Sequence, residues 1–303
     1  MNEQFSKPKG FGEILDHTFR LVKNRFSDFF LILLILIGPI YLLQALTQLV
    51  SGKNLFREVG AGGNWLDQFV ASFDQGAATT SSVGADLAFI LLGLPHIILL
   101  AVAQVAILYM VNHIRKNEDY TVGSVIKKAF SRFWAILGST LLNLLIWISI
   151  IVVPLIILIF IGVAGSFVDP IAGIGISIIL FIALGLVIAL LLIRWSFYLG
   201  VVAFGGDAPG LSRSWNLTRK RSWFLLGLYI ILGLITAIIG SAVEIPVTLL
   251  LGNSVLYGVI INIVSIFTTI IFSVGYAIMY FDLRIRVNAD DIKDMIDDYT
   301  EHK

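Results

Sequence analysis

The sequence predicts an all-α, polytopic integral membrane protein with six transmembrane helices. Three observations point there. The chain of 303 residues is 58% hydrophobic and 14% charged, with a mean hydropathy of +0.93, outside the usual range of water-soluble domains. Six apolar runs are each long enough to cross about 30 Å of hydrocarbon, which takes around 20 helical residues. Lysines and arginines fall almost wholly into alternate connections between those runs, the pattern that orients membrane helices.

Residues 1–28 are mixed in charge and too long for a secretory leader, and no small-residue cleavage site follows, so the first apolar run is expected to remain as a span. Within them FGEILDHTFRLVKNRF sets Phe11, Leu15, Phe19, Val22 and Phe26 on one helical stripe. The first span is expected at 29–50. The connection 51–86 is rich in Gly, Ser, Thr and Ala at both ends. Between those ends Trp65, Phe69, Val70 and Phe73 fit either a short surface helix or a packed loop lid.

The second span is expected at 87–111. It is followed by YTVGSVIKKAFSRFWAIL, whose Val122, Val125, Ile126, Ala129, Phe130 and Phe133 form a second stripe. Spans three and four are expected at 134–161 and 171–193, the latter with helix reaching as far as Phe204. GLSRSWNLTRKRSWFLL then repeats the pattern with Leu211, Trp215 and Thr218. Spans five and six are expected at 224–243 and 255–281. Pro39, Pro95 and Pro154 fall inside spans, where kinks are tolerated if neighbours satisfy the freed carbonyls. The tail, 287–303, sets Asp290, Asp291, Asp294, Asp297 and Asp298 around Ile292, Met295, Ile296 and Tyr299. It reads as an amphipathic helix with a solvated acidic face.

Of the 21 Lys and Arg residues, five precede the first span, five lie between spans two and three, and five between four and five. Four follow the sixth span, and only Lys53 and Arg57 remain for the other connections. Both termini are therefore expected on the cytoplasmic side. Each basic stripe ends in an arginine beside an aromatic residue: Arg25-Phe26, Arg132-Phe133-Trp134, and Arg221 two residues before Trp223. Aromatic rings and snorkelling cations belong at the waterline. The predicted architecture is one transmembrane domain, 1–286, of three parallel hairpin units (about 11–111, 120–193 and 210–281). Each unit is preceded by a basic amphipathic interfacial helix. Those helices either only anchor the spans or also bind anionic lipid headgroups or a partner's acidic surface. The residues for the second role are Arg25, Lys127, Lys128, Arg132, Arg213, Trp215, Arg219, Lys220 and Arg221.

Catalytic signals are sparse. The chain has no cysteine, which removes thiolate and disulfide chemistry. His17, His96, His113 and His302 are scattered without metal-ligand spacing. No phosphate-binding loop, nucleophile elbow or HExxH segment occurs, and the tail lacks the ordered layout of a calcium loop. The sequence thus predicts no enzyme activity, no cofactor, no metal and no nucleic-acid partner.

Polar residues inside spans are costly in lipid and therefore informative. They are His96, Gln104, Asn143, Arg194 and Asn262, with Glu244 at the far end of the fifth span. Gln104 and Asn143 fit interhelical hydrogen bonding. His96 fits either a polar cavity or a cap on the carbonyl freed by Pro95. Arg194 is expected to snorkel, or to pair with Asp207 or Asp282.

RWSFYLGVVAFGGDAPGLSRSWNLTRKRSWFLLGLY resembles the signature of the membrane domain attached to some bacterial glycerophosphodiester phosphodiesterases, and YciC-like stand-alone membrane proteins are similar. Arg194, Asp207, Arg213, Ser214, Trp215, Leu217 and Thr218 carry the likeness. FGEILDHTFRLVKNRF and YFDLRIR (Tyr280 to Arg286) extend it over nearly the whole chain. The resemblance implies a multi-span protein without the soluble phosphodiesterase domain, and it carries over no catalytic residue. The expected function is a non-enzymatic protein of the bacterial inner membrane that organises lipids or partner proteins through a basic cytoplasmic collar. One alternative is a transporter or exporter component for a lipid, peptide or small amphiphile, built around His96 and Asn143. Another is an accessory subunit of a lipid-metabolising enzyme.

Overall fold

The computed structural model describes residues 8–56, 83–168, 170–205, 208–252 and 254–301, with backbone alone for 83–90, 164, 166–168, 170–174 and 288–301. The 65–73 stretch, expected as a short surface helix or a packed loop lid, lies outside the described residues, as do Asp207 and His302. Among the described residues there are helices and no strands: α1 (Phe11–Asn24), α2 (Phe26–Val50), α3 (Val83–Lys116), α4 (Val122–Phe130), α5 (Phe133–Val168), α6 (Pro170–Trp195), α7 (Tyr198–Gly205), α8 (Leu211–Thr218), α9 (Ser222–Leu251) and α10 (Val255–Glu301). Six of them are long and apolar enough to cross a membrane. The protein is a multi-pass membrane protein.

Local chemistry sets the short helices. At α1 the Glu13 carboxylate reaches back to accept from the Gly10 backbone N–H at 2.8 Å. At α4 the Thr121 hydroxyl accepts from the Ser124 N–H at 3.1 Å, satisfying a donor the helix cannot pair. Before α8, Gly210 sits at φ 71°, and a Cβ there would meet the Tyr198 carbonyl at 3.0 Å. Glycine is required at that turn.

The buried core occupies one half of the bundle. α2 is buried between Phe29 and Ile40, α3 from Ala101 to Val111, α5 only through Asn143, α6 only at Ile193, and α9 only through Leu232. α10 is buried from Ile266 to Leu283, with Val255 at its first turn. α1, α4, α7 and α8 all pack at that same end. Toward the opposite end few side chains are buried, and residues such as Phe160 (71% exposed) and Ile179 (68%) present bare apolar surface. Lipid supplies their neighbours, since hydrocarbon is as apolar as the side chains.

At the centre of the packed end lies α7, where Phe197 and Val201 are fully enclosed. The Tyr109 hydroxyl donates to Ala203 O and the Arg132 guanidinium to Val202 O, both at 2.9 Å. These two donors occupy carbonyls that the last turn of a helix leaves without intrahelical partners. The Gly200 N–H donates to the Tyr276 hydroxyl at 3.2 Å, and the Phe197 and Tyr276 rings stack 5.0 Å apart.

Several boundaries differ from those read in sequence. Helix after the fourth span does not run unbroken to Phe204, because the chain turns at Ser196 and restarts as α7. α9 continues through Pro246 to Leu251. The acidic tail is no separate helix: α10 runs on from the span to Glu301. The buried faces of α1 and α8 also differ. Ile14, His17, Thr18 and Leu21 are buried in α1, leaving the phenylalanine stripe half-exposed beside them. In α8 the buried face is Ser214 and Thr218.

Candidate functional site

The R-S-W-x-L-T stretch folds onto the end of α6. The Ser214 hydroxyl donates to Arg194 O at 2.9 Å and accepts from the Phe197 N–H at 3.1 Å. Thr218 donates to the same carbonyl at 3.3 Å. The polar face of α8 is buried because it satisfies the backbone groups released where α6 breaks before α7. Arg194 in turn lies over the Trp215 ring, 4.4 Å from its centroid. It does not pair with Asp282, which is engaged elsewhere.

Asp282 closes the two ends of the chain onto each other. Its carboxylate accepts from the Lys9 backbone N–H at 2.7 Å and from Arg286 Nε at 2.8 Å. Arg286 also donates to Lys9 O at 2.7 Å. The N-terminal segment and the cationic half of α10 therefore lie on one side of the bundle.

These contacts assemble a cleft of about 720 Å³ whose lining includes Lys9, Arg194, Arg219, Lys220, Arg221 and Arg286. Among the described residues no carboxylate lines it. Asp282 stands behind Lys9 and Arg286 and Glu13 behind Gly10, so the six cations still outnumber the nearby carboxylates among the described residues. Burial lowers the Lys9 ammonium pKa, with Asp282 opposing that shift. His17 nearby is lowered to about 4, first by burial and then by Lys9 and Arg20. This end of the molecule resists further positive charge and suits an anion.

Of the residues singled out in sequence, Arg219, Lys220 and Arg221 line this cleft with Arg194, and Trp215 supports Arg194. Arg213 lies apart, in a smaller cleft of about 240 Å³ with Arg284 and Tyr280. Arg132 is committed to the Val202 carbonyl, and Lys128 sits 4.8 Å above the Tyr109 ring. Arg25 and Lys127 are exposed on other surfaces. Lys9 and Arg286 escaped sequence reasoning, because they stand 277 positions apart and only the fold joins them.

A second concavity of about 800 Å³ lies between α3, α5, α6, α9 and α10. Gln104 and Asn143 line it, as do Thr140, Ser196 and Tyr229. The Tyr198 hydroxyl donates to Thr140 Oγ1 and that of Tyr229 to Ser196 Oγ, each at 3.2 Å. His96 is not part of this lining. It packs against Tyr41, ring centroids 5.4 Å apart, and makes no hydrogen bond to the carbonyl freed by Pro95. Asn262 is half-buried near the start of α10, outside the cavity. Among the described residues, no group of three or more His, Asp or Glu side chains is placed to hold a metal.

No family model, curated protein or solved structure matches the chain.

Proposed function

We propose that the protein is a non-enzymatic component of the bacterial inner membrane that captures anionic groups, above all lipid phosphates, in the cationic cleft at its cytoplasmic end. One observation carries this reading: six cations from four separate segments converge on a single concave surface that no carboxylate lines among the described residues. A phosphate there gains charge-assisted hydrogen bonds, and arginine forks suit its oxygens. Both termini are cytoplasmic in this reading, since the cation-rich connections all belong to that side. α1, α4 and α8 lie at the interface, each leading into a hairpin of two spans. Their half-exposed stripes, including Phe11, Phe19 and Trp215, meet lipid while their buried faces meet the bundle. An acidic face on a partner protein is the other occupant the cleft suits.

The test uses the purified full chain in detergent, titrated with short-chain phosphatidylglycerol and phosphatidylcholine. Preferential retention of the anionic lipid is expected. Replacing Arg219, Lys220 and Arg221 together by Gln should weaken it by about tenfold or more, whereas Arg213→Gln should leave it intact. Equal retention of the two lipids by the native chain, or full retention by the triple variant, would overturn the proposal.

The cavity between α3, α5, α6, α9 and α10 favours a second reading, a component that moves an amphiphile across the bilayer. An apolar-walled space at membrane depth with a few polar groups set into it is what an amphiphile's route needs.

A further inference from the structure

We infer that this cavity binds a neutral, hydroxyl-headed glycerolipid of the diacylglycerol type, with its glycerol hydroxyl at Asn143 and Gln104 and its chains along α9 and α10. The size suits a lipid. At about 800 Å³ it falls within the range of small-molecule sites. Its lining runs along α9 from Tyr229 to Glu244, about 22 Å at helical rise. That is roughly three-quarters of the hydrocarbon thickness, a shape for an extended chain rather than a compact solute. Leu100, Leu192, Val264 and Phe272 supply apolar wall.

The polar groups choose the head. Asn143 is only 7% exposed, and no donor reaches its amide oxygen. Gln104 donates its amide nitrogen to Ser273 O at 3.1 Å, and its oxygen likewise receives no donor from the described residues. The Gln104 oxygen needs a donor and the Asn143 amide nitrogen an acceptor, and a hydroxyl supplies both. Charge excludes the phospholipid alternative. Among the lining residues only Glu244 is charged, and it stands at the far end beside the Tyr257 hydroxyl. A phosphate seated at Asn143 would be buried with no cation beside it. The deep site therefore selects an uncharged head, in contrast to the cationic cleft. The inference deepens the second reading but requires binding alone.

The experiment uses the full chain in phosphatidylcholine nanodiscs with a diacylglycerol carrying a photoreactive group on one acyl chain. Labelling is expected on peptides of α3, α5, α9 and α10. Unlabelled diacylglycerol should displace it, and phosphatidic acid with the same chains should not. A Cβ built on Gly233, which lines the cavity, meets no atom within 4 Å. The Cβ of Gly233→Phe therefore meets no neighbour, and its ring, projecting from the lining, should reduce displaceable labelling by about tenfold. Asn143→Leu should reduce it by about fivefold through loss of one hydrogen bond. Undiminished displaceable labelling in Gly233→Phe would overturn the inference, as would displacement by phosphatidic acid as effective as by diacylglycerol. A chain that binds diacylglycerol yet moves no lipid between leaflets would sink the transport reading and leave the binding site standing.

Discussion

Arg194 holds its guanidinium 4.4 Å above the Trp215 ring, while its backbone carbonyl accepts from Ser214, the tryptophan's neighbour. α8 thus grips the end of α6 through side chain and main chain together. Ser214→Ala would leave the Phe197 N–H without its acceptor inside a closed core. A loss of about 1–3 kcal/mol is expected, read as a lowered melting temperature in detergent. An unchanged melting temperature would argue that α8 docks by its rings alone.

His17, 4% exposed, gives the protein a defined acid response. Its pKa is lowered to about 4 by burial and by the nearby Lys9 and Arg20. Above pH 6.5 the folded and unfolded histidine are both neutral. Between pH 6.5 and about 4 the unfolded chain binds a proton that the folded one refuses, so stability falls as pH falls. The loss reaches roughly 3 kcal/mol below pH 4. His17→Phe should flatten this part of the stability–pH curve, and parallel curves for the two chains would exclude the assignment.

Gly200 sits where α7 meets the Tyr280 ring. A Cβ at this position would run into that ring, and the ring is stacked on Phe204 with a 16° interplanar angle. Overpacking of this kind costs about 1–3 kcal/mol. Gly200→Ala should lower thermal stability accordingly, with part of the loss recovered by Tyr280→Leu in the same chain. Additive losses in the double variant would contradict the contact.

Because the chain has no cysteine, single cysteines report the proposed orientation without background. Asn54→Cys, at an exposed position beyond α2, should react with a membrane-impermeant maleimide in intact cells. Lys127→Cys, exposed in α4, should react only after permeabilisation. The reverse pattern would invert the orientation.

All six spans were legible in the sequence because burying some 20 apolar residues in hydrocarbon outweighs every competing local preference. The faces of the short helices were not. Periodicity marks the apolar stripe, and in water that stripe faces inward. Beside lipid the rule loses its direction, so Ser214 and Thr218 face the bundle while Leu211 and Trp215 are only partly covered. Charge counting found Arg219, Lys220 and Arg221 but not their companions Lys9 and Arg286, which converge through Asp282 and through the Arg286 bond to the Lys9 carbonyl. It also grouped Arg132 and Arg213 with them, whereas the fold commits Arg132 to a backbone carbonyl and turns Arg213 into another cleft. In sequence His96 reads as lining a polar cavity or capping the carbonyl freed by Pro95, and Asn143 as an interhelical hydrogen-bonding group, yet it is Asn143 that lines the cavity. His96 instead packs against Tyr41 outside that lining.

The meeting of Lys9 with Asp282 orders events in time as well as space. The two are separated by 273 positions, which at ribosomal speeds corresponds to tens of seconds of elongation. Throughout that interval Ile14, Thr18 and Leu21 lack the α10 surface they finally cover. The nascent bundle is an open ring until its final span arrives, so a ribosome stalled before codon 282 leaves a chain that has inserted but not closed.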